Sequence, residues 1–146
     1  LIGGFKFQNL YGAYAPLAEL LADSLDELPA ETVIVPVPTV RAHIRERGYD
    51  HTLLIARHVA KQRHLKVSQV LHRATNTKQR GVGRTDRMAQ AKVAFQVKDR
   101  LEDNRPYLLI DDIVTTGATM HYAALALRGA GAKVVWVAAI ARQPLD

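Results

Sequence analysis

The chain contains no cysteine. Within these residues that excludes disulfides, thiolate nucleophiles and cysteine-ligated zinc or iron–sulfur sites. No apolar run approaches the ~20 residues that cross a bilayer, so membrane insertion is not expected. Leu1 to Leu10 lacks the basic start and apolar middle of a secretory signal. Together with the missing cysteine, this makes a cytoplasmic location the expectation. The six His, at 43, 51, 58, 64, 72 and 121, show no HExxH or HxxxH spacing that would put two imidazoles on one helical face, which argues against a His-built metal site. No GxxxxGK[ST] string supports an NTPase. Aromatic residues are also scarce, at 6%.

What is present fits one globular unit. The 146 residues are enough to bury a core and too few for two ordinary domains, and 48% hydrophobic with 23% charged residues is ordinary for such a unit. The net charge of +6 is unevenly spread: Arg41 to Arg105 holds 16 Lys and Arg against 6 Asp and Glu, and the remainder is net negative. A concentration of this kind suits a polyanionic ligand, either a pyrophosphate or a nucleic-acid backbone. The same stretch has only Tyr49 and Phe95 as aromatics, so any nucleic-acid contact would be mostly electrostatic.

Leucines at three- and four-residue spacings predict an amphipathic helix over Pro16 to Leu28, ended by Pro29. Thr32 to Val37 reads as a strand buried on both faces whose pairing stops near Pro36. After a basic turn from Pro38 to Gly48, Asp50 or Thr52 caps a helix running to about His64, with Leu54, Ile55, Ala56 and Val59 inward. Val67 to Leu71 and Lys92 to Val97 read as strands, separated by an Arg- and Gly-rich loop from Arg73 to Ala91. Tyr107 to Val114 is a strand, Thr119 to Ala130 a helix, and Lys133 to Ile140 a further buried strand in which Trp136 belongs to the core. Strands alternating with helices predict an α/β fold with right-handed βαβ units and a mostly parallel sheet covered on both sides.

The informative string is LLIDDIVTTGAT, Leu108 to Thr119. A buried strand delivers two carboxylates, then breaks into a Thr and Gly turn that opens a helix, at the sheet edge where α/β proteins bind ligands. Thr115, Thr116, Gly117, Ala118 and Thr119 can offer backbone N–H groups and hydroxyls to one phosphate at a helix N-terminus. Asp111 and Asp112 can accept hydrogen bonds from vicinal hydroxyls on the same ligand, which a ribose 5-phosphate provides. Neighbouring side chains on a strand point to opposite faces, so the backbone is expected to turn between or just after the two acids. A single Asp capping the helix is the plainer alternative. A dehalogenase-type phosphatase needs its two acids two residues apart, which DDIVT does not offer.

This string resembles the ribose-phosphate signature of type I phosphoribosyltransferases. More narrowly, FKF at Phe5 to Phe7, VPVP at Val35 to Pro38, RERGYDHTLLIAR at Arg45 to Arg57 and KQRGVGRTDRMAQAKVAF at Lys78 to Phe95 resemble the ComF/GntX family of amidophosphoribosyltransferase-like competence proteins. The resemblance implies a type I phosphoribosyltransferase fold binding 5-phosphoribosyl-1-pyrophosphate (PRPP). In that reading Asp111 and Asp112 hold the ribose hydroxyls and Thr115 to Thr119 the 5-phosphate. Arg45, Arg47 and Gly48 take the pyrophosphate, Arg47 foremost. Gln79 and Arg87 match the family's catalytic loop, with Lys78, Arg80 and Arg84 adding charge.

The resemblance further implies Mg²⁺ bound mainly through PRPP, with no direct protein ligand, and phosphoribosyl transfer to an unidentified acceptor. The alternative it leaves open is a non-catalytic module that senses PRPP or binds single-stranded DNA, alone or with a DNA-uptake helicase. Gln90 and Ala91 stand where the family usually has Asn. The family's cysteine-rich N-terminal zinc module has no counterpart here, so residues 1–146 are expected to form a single domain without it.

Overall fold

A computed structural model describes residues 14–40, 44–46, 48–74, 95–102, 104–114 and 116–142. Among the described residues, three helices and six strands follow in order: α1 (Tyr14–Ser24), β1 (Val33–Pro36), α2 (His51–Arg63), β2 (Lys66–Val67), β3 (Leu71–Arg73), β4 (Phe95–Val97), β5 (Pro106–Val114), α3 (Ala118–Gly129) and β6 (Val134–Arg142). The main sheet is four-stranded in the order β2-β1-β5-β6, and all its pairings are parallel. β3 and β4 pair antiparallel as a separate two-stranded sheet. The predicted α/β class and parallel sheet are therefore observed.

Side-chain alternation on the two central strands decides how the layers form. Ile34, Leu108 and Ile110 pack on Leu17, Leu21, Ile55 and Val59 of α1 and α2. Val33, Val35, Tyr107 and Leu109 pack on Met120, Ala123 and Leu127 of α3 and on Leu71 and Phe95 of the β3–β4 pair. Both faces of β1 and β5 are thereby covered, which is why their sequences are apolar throughout. Burying each of the larger aliphatic side chains contributes about 2 kcal/mol.

Helix ends follow local chemistry. Asp50 is the N-cap of α2, its carboxylate accepting from the Leu53 N–H at 3.2 Å, and His64 closes the helix in the left-handed region at φ 57°. α1 stops at Ser24 and not at Leu28, and the Arg63 guanidinium donates to the carbonyl of Ala22 in its last turn and to those of Leu25 and Asp26 beyond it. Those bonds satisfy the helix's last carbonyls and draw the chain away from the helical path. Leu25 and Leu28 still pack on the core from that non-helical segment.

Two expectations change, and a third is met over the described residues alone. The predicted strand Val67 to Leu71 is two short strands in different sheets, because the chain leaves β1 after the Ser68 N–H bonds the Ile34 carbonyl at 2.9 Å. The predicted strand at Lys92 to Val97 is described only over Phe95–Val97. Trp136 is not core: it is 39% exposed, with Val137 at 54%, since β6 is the sheet's edge strand among the described residues.

Candidate functional site

The two acids sit where one neighbouring strand ends and the other continues. β1 pairs with β5 as far as Pro36↔Ile110, and the Val37 N–H then bonds the Ile110 carbonyl at 2.9 Å. Pro36 and Pro38 bring no N–H to a ladder, so β1 stops there. On the other side β5 remains paired with β6 through Asp111↔Ala139 to Val114↔Arg142. The backbone therefore does not turn at the acids as expected. The strand runs on to Val114, and the loss of β1 opens the edge instead.

Alternation sends the carboxylates to opposite faces. Asp112 points toward α2 and is 5% exposed; its Oδ2 lies 2.6 Å from His51 Nε2, itself buried, while its Oδ1 accepts the Ile113 N–H at 2.8 Å. Asp111 faces the β3 side, half-buried, with Oδ1 accepting the Asp112 N–H at 2.8 Å. Its charge is felt at Arg73, whose guanidinium has its pKa lowered by burial and drawn partly back up by Asp111. Because β1 ends below them, both acids still line one cavity of about 160 Å³, with Thr39, His51, Thr52, Arg73 and Thr119.

The turn after β5 has the expected form. Gly117 is the N-cap of α3 at φ 86°, a conformation costly for any residue with a Cβ, although a Cβ there would meet nothing within 4 Å. Its backbone angle, and not crowding, is what calls for glycine. The Thr116 hydroxyl accepts the Ala118 N–H at 3.2 Å, and Thr116, Ala118 and Thr119 are exposed. A helix N-terminus of this kind, open to solvent, is a ready anion cradle.

The turn after β1 is built on Asp50. Its Oδ1 accepts from the Thr39 hydroxyl at 2.9 Å as well as from the first turn of α2, which ties turn and helix together. Of the residues expected to bind pyrophosphate, Arg45 is exposed on a helical turn at 44–46, and Gly48 (φ 81°) donates its N–H to the Ile44 carbonyl at 2.7 Å. Neither lines the cavity. Arg47, Thr115, Gln79 and Arg87, with Lys78, Arg80 and Arg84, lie outside the described residues.

His51 and Arg73 are the site residues that sequence reasoning passed over. His51 shares the inward stripe of α2 with Ile55 and Val59, so extending that stripe back one turn would have found it. Arg73 was assigned to the start of a charged loop; it is the last residue of β3, in register with Phe95. Among the described residues no cluster of three His, Asp or Glu is arranged to hold a metal ion.

Residues 50–145, covering α2, the acidic strand and the glycine turn, match the phosphoribosyl transferase domain. The chain belongs to that family. It is 30% identical over 153 residues to Competence protein F of Haemophilus influenzae, covering 97% of this chain and 66% of that protein. It is 34% identical over 95 residues to Competence protein ComFC of Bacillus subtilis, covering 65% of this chain and 38% of that one. This phosphoribosyltransferase domain is therefore of the ComF kind, and it spans about two thirds or less of the length of those relatives. Its fold is similar to a purine phosphoribosyltransferase from Pyrococcus horikoshii, with a TM-score of 0.59 at 16% identity over 90% of this chain and 75% of that one. At that identity the likeness speaks for the type I fold alone. Among the described residues no helix is long and apolar enough to cross a membrane.

Proposed function

We propose that this domain binds PRPP, with the 5-phosphate on the turn at Thr115 to Thr119 and the ribose hydroxyls on Asp111 and Asp112. One observation carries the reading. Two adjacent strand carboxylates share a cavity with Thr119 at the free end of β1, beside a helix N-terminus opened by a positive-φ glycine. A sugar with vicinal hydroxyls and a terminal phosphate satisfies both halves. Asp111 is the more accessible acid, whereas Asp112 is held by His51 and the Ile113 N–H.

In the reaction supported best, a nucleophilic nitrogen of the acceptor attacks the anomeric carbon. The bond from that carbon to pyrophosphate breaks, its electron pair leaves with pyrophosphate, and the acceptor nitrogen gives up a proton. Mg²⁺, when bound, would offset the growing charge on the leaving group. It would be held mainly through PRPP oxygens and water, in keeping with the lack of a cluster of three metal-ligating side chains among the described residues. Calorimetry with PRPP and Mg²⁺ tests the reading: native protein should bind, and Asp111→Ala should bind at least about tenfold more weakly. A native protein that takes up no heat with PRPP would sink it.

A second reading, a non-catalytic module linked to DNA uptake, draws on the names of the two relatives and on the basic middle of the chain. If PRPP binds yet no pyrophosphate is released with any amine or base offered, sensing replaces catalysis. Single-stranded DNA binding, if present, should fall steeply with salt.

A further inference from the structure

We propose that His51 is a positioning residue for sugar recognition: its imidazole sets the plane of the Asp112 carboxylate, and that plane decides whether the acid can read a ribose hydroxyl. The inference rests on the PRPP reading above. His51 and Asp112 line the same cavity at the strand ends, and both are buried, at 3% and 5% exposure. The imidazole Nε2 lies 2.6 Å from Asp112 Oδ2. An ionised carboxylate can only accept, so with Asp112 ionised the proton of this contact belongs to Nε2 and His51 is the donor.

The carboxylate is gripped from two sides. Oδ2 accepts from the imidazole on α2, and Oδ1 accepts the Ile113 N–H at 2.8 Å on its own strand. One contact alone would let the group turn about its terminal bond, a broad and soft torsion; contacts on both oxygens fix its plane. A carboxylate has about four lone-pair sites, so a group held in this way can still accept from a hydroxyl. Hydrogen bonds weaken steeply as their angle closes, and a misplaced plane therefore loses the sugar contact even where the charge remains.

The imidazole suits this role because its own place is fixed. His51 is the first residue of α2, beside the N-cap Asp50, whose Oδ1 accepts from the Leu53 N–H and from the Thr39 hydroxyl. The Tyr49 ring stands edge-on to the imidazole, with 6.3 Å between centroids and 77° between planes. Helix start, turn and ring together restrain the imidazole, as a group that orients another requires. Buried and engaged through Nε2, His51 acts on the sugar through Asp112. Losing it should weaken the sugar half of the ligand and spare the phosphate half, which the PRPP reading places on the turn at Thr115 to Thr119.

The test is calorimetric titration of ribose 5-phosphate and of inorganic phosphate into the native chain, His51→Gln and His51→Asn, with folding of each checked by circular dichroism. Gln brings its amide N–H close to where Nε2 stands; Asn carries the same amide on a side chain too short to reach. Ribose 5-phosphate affinity should fall about tenfold in His51→Asn and stay within about twofold of native in His51→Gln. Inorganic phosphate should stay within about twofold in both. Undiminished ribose 5-phosphate affinity in His51→Asn overturns the inference, as does an equal loss in His51→Gln. So does a parallel loss of phosphate binding, which would make His51 a prop of the whole strand edge. A second measurement needs no variant. In the native protein the His51 Nε2–H proton resonance should move on saturation with ribose 5-phosphate and stay in place with phosphate; a resonance unmoved by the sugar overturns the inference even if the variants do not fold. Native protein that binds ribose 5-phosphate no more tightly than phosphate rejects the hydroxyl reading and this inference together, whereas tighter binding of the sugar that survives His51→Asn rejects this inference alone.

Discussion

Burial of Asp112 beside a second carboxylate would be costly without partners, and an imidazole and a backbone N–H are among those the chain supplies. His51 is a side chain that helps make the second acid tolerable. Replacing it with Leu removes one partner and leaves a buried charge, so His51→Leu should cost about 3 kcal/mol in urea unfolding. Adding Asp112→Asn, which removes that charge, should recover about half of the loss, because an absent ion needs no counterpart. Additive losses in the double variant would mean that the 2.6 Å contact contributes little. The pair DD, the Thr and Gly turn and the need for a glycine at 117 were all legible from residue types alone. The partner of Asp112 was not, because it lies 61 residues away in sequence and only packing joins them.

Elements carry the site by where they stop. β1 is four residues long, while β5 and β6 each run for nine, and this mismatch exposes the two acids on one edge. The prolines of VPVP announced the stop, as the sequence reading held. The inferred turn at the acids was wrong because a strand's end was sought in β5 itself and not in its neighbour. Asp50 links two elements through one oxygen, capping α2 and restraining Thr39. Asp50→Ala should lower stability by about 1 kcal/mol, the usual worth of an N-cap. It should also speed amide exchange at Val40 relative to the centre of α2, as the tie from Thr39 is lost. If exchange rises only within α2, the cap alone accounts for the effect.

For the whole molecule, the layers distribute chemistry unevenly. Helices α1 and α2 cover one face, α3 and the β3–β4 pair the other, and the cavity lined by the two acids lies at the carboxyl ends of β1 and β5. The far side of β6 is less covered, and Trp136, the chain's single tryptophan, stands there at 39% exposure. Its fluorescence should be red-shifted from that of a buried indole and readily quenched by acrylamide. A blue-shifted, unquenchable emission would show that another surface covers this edge.

The sequence by itself determined the class of fold, the strand order of acid, turn and helix, and the family. These depend on local periodicity, on turn chemistry and on a contiguous motif, all written within a dozen or so neighbouring residues. Tertiary structure decided which acid is buried and which is accessible, that His51 and Arg73 stand at the acids, and that β6 is an edge among the described residues. Each of those depends on distant segments meeting across the sheet, and side-chain direction at such a meeting is set by strand register and packing, which a linear pattern does not encode.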